Sequence, residues 1–346
     1  MERKTMAGVL EEREMMNITI TGASGFLGQK LAHGLLSANA LTDSVGSPSR
    51  VEHLTLLDVV NPSKELSNDP RVTILTGDIT DRSLLEKAIS VSTDCIFHFA
   101  AIVSAGAEKD FDLGMSVNLD ATRAILDICR GHETKPKLIF ASSCAAFGGD
   151  MPNIIADMTA RTPQTSYGTQ KVIGELLVND FSRKGFVDGR ALRFPTVVVR
   201  PGKPNKAAST FASSIIREPL QGQTAICPVS PESKMFLASP RSIIENVVRA
   251  HNLMEDDWGQ SREVTLPGFS MSIKGMVDAL RTVAGDIVAD RIDWKPDPFI
   301  QNILDGWPPE FRTEKALELG FVCDVSMEEV INAFIEDELD GSIVSS

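Results

Sequence analysis

Short apolar runs alternate with longer amphipathic stretches through the first two hundred residues. Runs such as 94–100 (DCIFHFA) and 137–141 (KLIFA) are apolar almost throughout rather than alternating with polar residues. Strands of this kind are buried on both faces, as in a parallel sheet covered by helices. The pattern therefore predicts an α/β fold with a doubly wound parallel sheet. Strands are predicted at 17–21, 53–59, 72–75, 94–100, 137–141 and within 189–199.

A glycine-rich segment, TGASGFLG, joins the first predicted strand to the first predicted helix. Gly22 permits a tight turn, Gly25 lets a pyrophosphate approach the backbone, and Gly28 lets the helix pack closely on the strand. The helix N-terminus offers free N–H groups to phosphate. This context predicts a Rossmann-type dinucleotide site that also includes Phe26 and Leu27.

Acidic residues follow the next two strands. A carboxylate at Asp58 can accept both ribose hydroxyls and would repel a 2′-phosphate, so NAD is favoured over NADP. The long spacing from the glycines to Asp58 is expected to be taken up by a loop at 44–50. Asp78 is suited to the adenine amino group, with Ile79 packing on the ring. Small or apolar residues end the fourth strand and are expected to line the dinucleotide: Phe99, Ala100 and Ala101.

Tyr167 and Lys171 stand four residues apart, so they share a face of the helix that they open. A phenol titrates near ~10, and a cation one turn away favours the phenolate, so a pKa below that value is expected. Ser143 ends the fifth strand, where a hydroxyl can stabilise a developing alkoxide. Its neighbour Ser142 is the alternative. These residues are the predicted catalytic group.

These motifs, in this order and spacing, resemble the extended short-chain dehydrogenase/reductase family, which includes nucleotide-sugar epimerases and dehydratases. The resemblance covers about residues 16–340 and implies NAD as cofactor, Tyr167 as the catalytic base, Lys171 as its partner and Ser143 as the catalytic hydroxyl. It also implies cofactor-site roles for Asn118 and Pro195. Thr196 stands where sugar-nucleotide enzymes commonly carry an asparagine, which is a departure from their pattern.

Segments around 104–114, 185–190 and 199–205 resemble a subgroup of dehydrogenases that oxidise the C2 hydroxyl of a four-carbon sugar acid. A small acid needs a cation for its carboxylate and polar groups for its hydroxyls. The candidates are Arg200 and Arg241 for the carboxylate, and Ser104 and Thr196 for the hydroxyls. An epimerase with tightly bound NAD and a non-catalytic NAD-binding protein remain alternatives.

Three parts of the chain are predicted: a charged, disordered leader at 1–15, an NAD-binding Rossmann domain at 16–200, and a smaller α/β region at 201–346. The last part is expected to bind substrate mainly and to return partly to the sheet through a strand at 263–266. The resemblance also allows a homodimer formed by the two long helices at 111–130 and 167–183.

The net charge is 34 − 47 = −13, which argues against nucleic acid or an anionic membrane as a partner. No run reaches the ~18 apolar residues of a membrane span, and the leader lacks the apolar core of a signal peptide. The five cysteines are odd in number and show no CxxC pair, so neither disulfides nor a metal site is expected. The sequence therefore predicts a cytoplasmic protein that acts on a small molecule.

Overall fold

The computed structural model describes residues 15–37, 41–43, 46–202 and 208–344. Most of the predicted leader, residues 1–14, lies outside the described residues. The first strand begins at Met15, one residue before the predicted start of the folded chain. None of the helices in these ranges is long and apolar enough to cross a bilayer.

The strands of the described residues are numbered in chain order. They are β1 (Met15–Thr21), β2 (Leu41–Thr42), β3 (Pro48–Asp58), β4 (Val72–Thr76), β5 (Cys95–His98), β6 (Lys137–Ser143), β7 (Asp188–Phe194), β8 (Thr196–Val197), β9 (Ala225–Cys227), β10 (Lys234–Ala238), β11 (Glu263–Thr265), β12 (Phe269–Ser272) and β13 (Ile292–Trp294).

The helices are numbered in the same way. They are α1 (Phe26–Ser37), α2 (Lys64–Asn68), α3 (Arg82–Ala88), α4 (Ser104–Lys109), α5 (Phe111–Gly114), α6 (Ala121–Arg130), α7 (Ser166–Arg183), α8 (Thr210–Leu220), α9 (Pro240–Asn252), α10 (Glu255–Trp258), α11 (Ile273–Ala284), α12 (Asp286–Ala289), α13 (Pro298–Asp305), α14 (Glu314–Glu318) and α15 (Met327–Glu338). A π-helical turn, Met115–Asp120, joins α5 to α6, and a 3₁₀ turn, Cys144–Ala146, follows β6.

The central sheet is parallel in the order β4-β3-β1-β5-β6-β7-β11, with the short β2 antiparallel to the start of β3. The predicted doubly wound parallel sheet is confirmed, and β11 returns from the C-terminal part to pair with β7. The strand order reverses beside β1, so the carboxyl ends of β1 and β5 border the crevice in which such sheets bind ligands. Two small sheets, β12-β10-β8 and β13-β9, lie outside it.

Three predicted boundaries change. The expected loop at 44–50 is partly strand, because β3 begins at Pro48 and its first residues pair with β2. Helix α7 begins at Ser166, where the Thr165 hydroxyl accepts the Gly168 N–H at 3.1 Å and caps the first turn. The helix predicted over 111–130 is interrupted, because the π-helical turn separates α5 from α6. Each change depends on a local hydrogen bond or a strand pairing that apolar periodicity does not report.

Buried apolar residues cover both faces of the sheet. One face packs against α1 and α9, and this core also takes in Trp258 and Phe321 from the C-terminal part. The other face packs against α3, α6 and α7. A third core lies among α8, α11 and α15. Residues from the end of the chain thus complete the core beneath the first strands.

Phe321→Ala tests this return of the chain. Phe321 is 3% exposed and meets the Trp258 ring edge-on at 6.1 Å between centroids. We expect the free energy of unfolding to fall by about 3–5 kcal/mol, as for other buried Phe→Ala changes. Val325→Ala, at a site that is 84% exposed, should change it by less than about 0.5 kcal/mol in the same denaturant titration. Equal effects of the two changes would contradict the packing described here.

Candidate active site

The glycine turn packs so closely against neighbouring backbone that Gly22 and Gly28 have no room for a side chain. Gly22 has a φ of 71°, its N–H donates to the Leu57 carbonyl at 3.0 Å, and a Cβ on it would lie 2.6 Å from the Ala100 nitrogen. A Cβ on Gly28 would lie 2.3 Å from the Gly22 oxygen. Helix α1 therefore starts directly against the ends of β1 and β5. Its first N–H groups, including those of Phe26 and Leu27, have no acceptor within the helix and suit a phosphate.

Asp58 lies beside this turn at the end of β3. Its carboxylate accepts the Ser24 N–H at 2.9 Å and the Val59 N–H at 2.7 Å. A carboxylate has about four acceptor positions, so capacity for ribose hydroxyls remains. The neighbouring strand end is tied to it, because the Gly77 N–H donates to the Asp58 carbonyl at 2.9 Å. The residues present thus fit the ribose end of a dinucleotide.

The predicted adenine pair lies at the end of β4. Asp78 accepts the Thr80 N–H at 2.9 Å and so stabilises its own turn, while its second oxygen has no hydrogen bond among the described residues. Ile79 is 6% exposed and packs in the core beneath α3. Only the edge of Ile79 is therefore open to a ligand.

A buried hydrogen-bond chain joins the ends of β1 and β5 to α6. The Thr122 hydroxyl donates to the Asn118 carbonyl at 2.8 Å, so His98 Nε2 must donate to Thr122 Oγ1, also at 2.8 Å. His98 Nδ1 then accepts from the Thr21 hydroxyl at 2.7 Å, and Thr21 Oγ1 accepts the Ala100 N–H at 3.4 Å. Burial lowers the pKa of His98 to about 3, so the ring is neutral, as this series of hydrogen bonds requires.

Asn118 lies in the π-helical turn and is 1% exposed. Its amide accepts the Ile102 N–H at 2.8 Å and donates to the Ile102 carbonyl at 3.0 Å and to Gln170 Oε1 at 2.7 Å. The side chain predicted to serve the cofactor site therefore holds the backbone after β5 and links it to α7. Sequence reasoning missed Ile102 and Gln170, and only the position of Gln170 next to Lys171 could have suggested the latter.

The two serines at the end of β6 have different surroundings. Ser142 is 2% exposed and its hydroxyl donates to Glu175 Oε1 at 2.5 Å. Ser143 is half-buried, accepts the Ala145 N–H at 3.1 Å and lies close enough to the Tyr167 phenol to lower its pKa. Ser143, and not Ser142, thus shares the crevice with Tyr167.

Tyr167 and Lys171 lie on the first two turns of α7. The Lys171 Nζ donates to the Ala141 carbonyl at 2.7 Å and lies 5.6 Å from the centroid of the Tyr167 ring. Burial lowers the pKa of Lys171 to about 8. Burial also raises the pKa of Tyr167 above 10.0, opposed by the hydrogen bond from Ser143 and the charge of Arg200. The expectation of a lowered phenol pKa was therefore wrong, because burial of the phenol outweighs the groups that lower its pKa.

Arg200 is the cation that acts on the phenol. Its Nε donates to the Val197 carbonyl at 2.9 Å, and its Nη2 donates to Ser209 Oγ at 2.9 Å, just before α8. The backbone N–H of Arg200 donates to Ser213 Oγ at 3.0 Å. These bonds fix the guanidinium on the Tyr167 side of the crevice.

Arg241 makes other contacts. It is half-exposed on α9 and pairs with Asp337 at 2.5 Å and with Glu336 at 2.9 Å. These carboxylates raise the pKa of Arg241, and Asp337 also binds Lys30 of α1 at 2.7 Å. The structure thus places Arg241 in an ion cluster that joins α1, α9 and α15, not beside Tyr167.

The remaining predicted residues border the same crevice edge. Ser104 begins α4, whose Glu108 carboxylate accepts the Ser166 N–H at 2.9 Å at the start of α7. Pro195 is buried between β7 and β8, and the half-buried Thr196 begins β8. The Glu108 bond thus ties α4, which carries Ser104, to the start of α7.

Residues 18–235 match the model of the NAD dependent epimerase/dehydratase family. The chain belongs to this family. It is an NAD-dependent oxidoreductase that acts on a CH–OH group. It is 51% identical to the D-erythronate dehydrogenase of Cupriavidus necator over 93% of this chain and 98% of that protein. It is 46% identical to the Haemophilus influenzae D-erythronate dehydrogenase over 94% of this chain and 100% of that protein.

Solved structures agree on the fold. The nucleoside-diphosphate-sugar epimerase from Agrobacterium tumefaciens is 42% identical, with a TM-score of 0.88 over 94% of this chain and 95% of that one. The L-threonine dehydrogenase of Clostridium difficile, at 24% identity and a TM-score of 0.82 over 96% of this chain and 100% of that one, shares the fold alone.

Asp58→Asn tests the ribose contact. The change keeps an acceptor for the Ser24 N–H but removes the charge, and a hydrogen bond to a charged group is worth about 1.5–3 kcal/mol. We expect NAD binding to weaken about tenfold or more and the preference for NAD over NADP to shrink, measured by calorimetric titration. Glu52→Gln, an exposed change on the same strand, is the control. An unchanged preference would exclude the ribose role of Asp58.

Cys144→Ala should retain most turnover, although Cys144 adjoins Ser143. Burial raises the pKa of the Cys144 thiol, so it stays protonated and is a poor nucleophile at neutral pH. Ser143→Ala should instead lower kcat about 10²–10³-fold, as does loss of one donor to a developing oxyanion. A Cys144→Ala enzyme that binds NAD but does not turn over would count against this assignment.

Proposed function

We propose that the chain oxidises the C2 hydroxyl of a small sugar acid, D-erythronate, to 2-dehydro-D-erythronate with NAD as hydride acceptor. The observation that carries the proposal is the arrangement around Tyr167, whose ring centroid lies 5.6 Å from Lys171 Nζ and whose phenol pKa is lowered by both Ser143 and the charge of Arg200, against the effect of burial. A secondary alcohol needs a proton acceptor and a hydrogen-bond donor, and a carboxylate needs a cation. The two relatives named D-erythronate dehydrogenase, at 51% and 46% identity, support the choice of acid.

The Tyr167 oxygen acts as the general base in this proposal. As the phenolate it takes the proton of the C2 hydroxyl, while Ser143 donates a hydrogen bond to the substrate oxygen. Bound oxidised NAD supplies the hydride acceptor and a positively charged ring. Lys171, one turn along α7, supports the phenolate by its charge.

Arg200 is proposed as the carboxylate ligand, because its guanidinium is held near the phenol by Val197 and Ser209. Arg241 is not proposed as the carboxylate ligand, because Glu336 and Asp337 already bind its guanidinium. Ser104 and Thr196 are proposed for the remaining hydroxyls. The glycine turn, Asp58, Asp78 and the segment after β5 are proposed to hold NAD.

A nucleotide-sugar epimerase that keeps NAD bound is the second candidate, favoured by the name of the Agrobacterium tumefaciens relative at 42% identity. Purified protein is mixed with NAD and a panel of four-carbon aldonic acids, and NADH is followed by absorbance. Net NADH with D-erythronate supports the proposal. Interconversion of a nucleotide sugar without net NADH supports the epimerase, and NAD binding without any turnover supports a non-catalytic protein.

We also propose a cytoplasmic homodimer that uses the faces of α5, α6 and α7. Exposed apolar side chains there include Phe111 at 58% and Leu176 at 53%. Leu176→Glu, measured by analytical ultracentrifugation, should shift the mass of the particle to that of one chain, whereas Val325→Glu should leave it unchanged. A single-chain mass for the unmodified protein would exclude the dimer.

Tyr167→Phe should lower kcat about 10²–10⁴-fold, because it removes only the oxygen that accepts the proton. The ring and its packing remain, so NAD affinity and thermal stability should stay near those of the unmodified protein. Since burial raises the phenol pKa, NADH formation should rise with pH through the alkaline range, and the variant should lose this rise. Near-normal NADH production with the same pH rise would mean that another residue is the base.

A further inference from the structure

The carboxylate of Glu175 is fully buried on α7, with no exposed side-chain area. Its Oε1 accepts from the Ser142 hydroxyl at 2.5 Å and from Arg193 Nε at 2.9 Å. Its Oε2 accepts from Arg193 Nη2 at 2.8 Å and from Arg161 Nη1 at 3.1 Å. Four hydrogen bonds fill its acceptor positions, so Glu175 has no capacity left for a substrate.

The bonds of Glu175 join the elements that carry the proposed catalytic group. Ser142 immediately precedes Ser143 at the end of β6, and Arg193 lies near the end of β7, two residues before Pro195. Glu175 itself stands one helical turn after Lys171 on the same face of α7. One carboxylate therefore sets the distance from the end of β6 to α7 and to β7.

The charge of Glu175 also bears on Lys171. Burial lowers the pKa of Lys171, and Glu175 opposes that shift. Strand β6 presents only the Ala141 carbonyl and the Phe140 ring, the latter 4.8 Å from Nζ. Strand β5 places His98 near Lys171, and this ring is neutral because burial lowers its pKa. Helix α7 places Tyr167 there in addition to Glu175.

Among the described residues, the other neighbours of Lys171 add no second carboxylate. Helix α6 and its π-helical turn present the uncharged Thr122 and Asn118, and Arg193 of β7 is held by Glu175 itself. Removing the Glu175 charge would thus leave the Lys171 ammonium without its nearby anion.

We propose that Glu175 is a positioning residue of the reaction: it holds Ser143, through Ser142, at a fixed place relative to Tyr167, and its charge stabilises the Lys171 ammonium. The inference rests on the proposed function of these three residues. Stability alone does not explain why a buried carboxylate stands at position 175, because a buried ion pair can often be replaced by apolar side chains without loss of stability.

Two variants separate the two parts of the role. Glu175→Gln keeps the shape but removes the charge, so the pKa of Lys171 should fall by about one unit. Ser142→Ala removes only the link to β6, so kcat should fall about tenfold with KM, NAD affinity and the pH profile unchanged. Glu263→Gln is the matched control, because Glu263 pairs with the same two arginines, Arg161 at 2.7 Å and Arg193 at 3.8 Å, but has no hydrogen bond to Ser142 or Lys171 among the described residues.

The pKa of Lys171 is measured without turnover, by NMR titration of the ¹³C-dimethylated lysines, with Lys171→Arg to assign the signal. This readout distinguishes a failure of the inference from a failure of the proposed function, which the Tyr167→Phe variant decides. If Glu175→Gln does not fold, the apolar double variant Glu175→Met with Arg193→Met removes both charges and takes its place. An unchanged Lys171 titration would overturn the electrostatic part, and an unchanged kcat in Ser142→Ala would overturn the positioning part.

Discussion

The hydrogen-bond chain through His98 is the constraint on which the crevice depends. It joins the end of β1, the backbone at Ala100 and the start of α6, and its donors and acceptors have only one consistent direction. That direction requires a neutral ring, which burial secures by lowering the pKa of His98 to about 3. Asn118 extends the same network to Gln170 and so to α7. The glycine turn and the catalytic helix are thereby held by one buried polar network.

Features set by neighbouring residues could be predicted from the sequence. Apolar runs located the parallel strands, and the glycine spacing located a turn in which Gly22 and Gly28 leave no room for a Cβ. The pair Tyr167 and Lys171 was found because four residues make one helical turn. Their common helix begins at Ser166, one residue before the predicted start at Tyr167, because the Thr165 hydroxyl caps its first turn.

Features set by distant partners could not be predicted. Arg200 and Arg241 are equivalent as candidate ligands in sequence, yet carboxylates of α15 engage Arg241 while Arg200 remains beside Tyr167. Ser142 and Ser143 are adjacent in sequence. They differ in the structure because the Ser142 hydroxyl is bound to the buried carboxylate of Glu175. The pKa of Tyr167 was mistaken because helix spacing shows that Lys171 is near but not how strongly burial of the phenol opposes its ionisation.

The positions of Phe321 and β11 late in the sequence affect how the protein folds during its synthesis. The strands of the cofactor crevice come from the first two hundred residues, but the core beneath them includes Phe321 and Trp258, and β11 completes the sheet edge. A ribosome makes these residues after the strands that they cover, at roughly 5–20 residues per second. The nascent cofactor-binding half therefore leaves the ribosome with part of its core uncovered. Until Trp258 and Phe321 have emerged, this part of the chain exposes apolar surface of the kind that makes folding intermediates prone to aggregate.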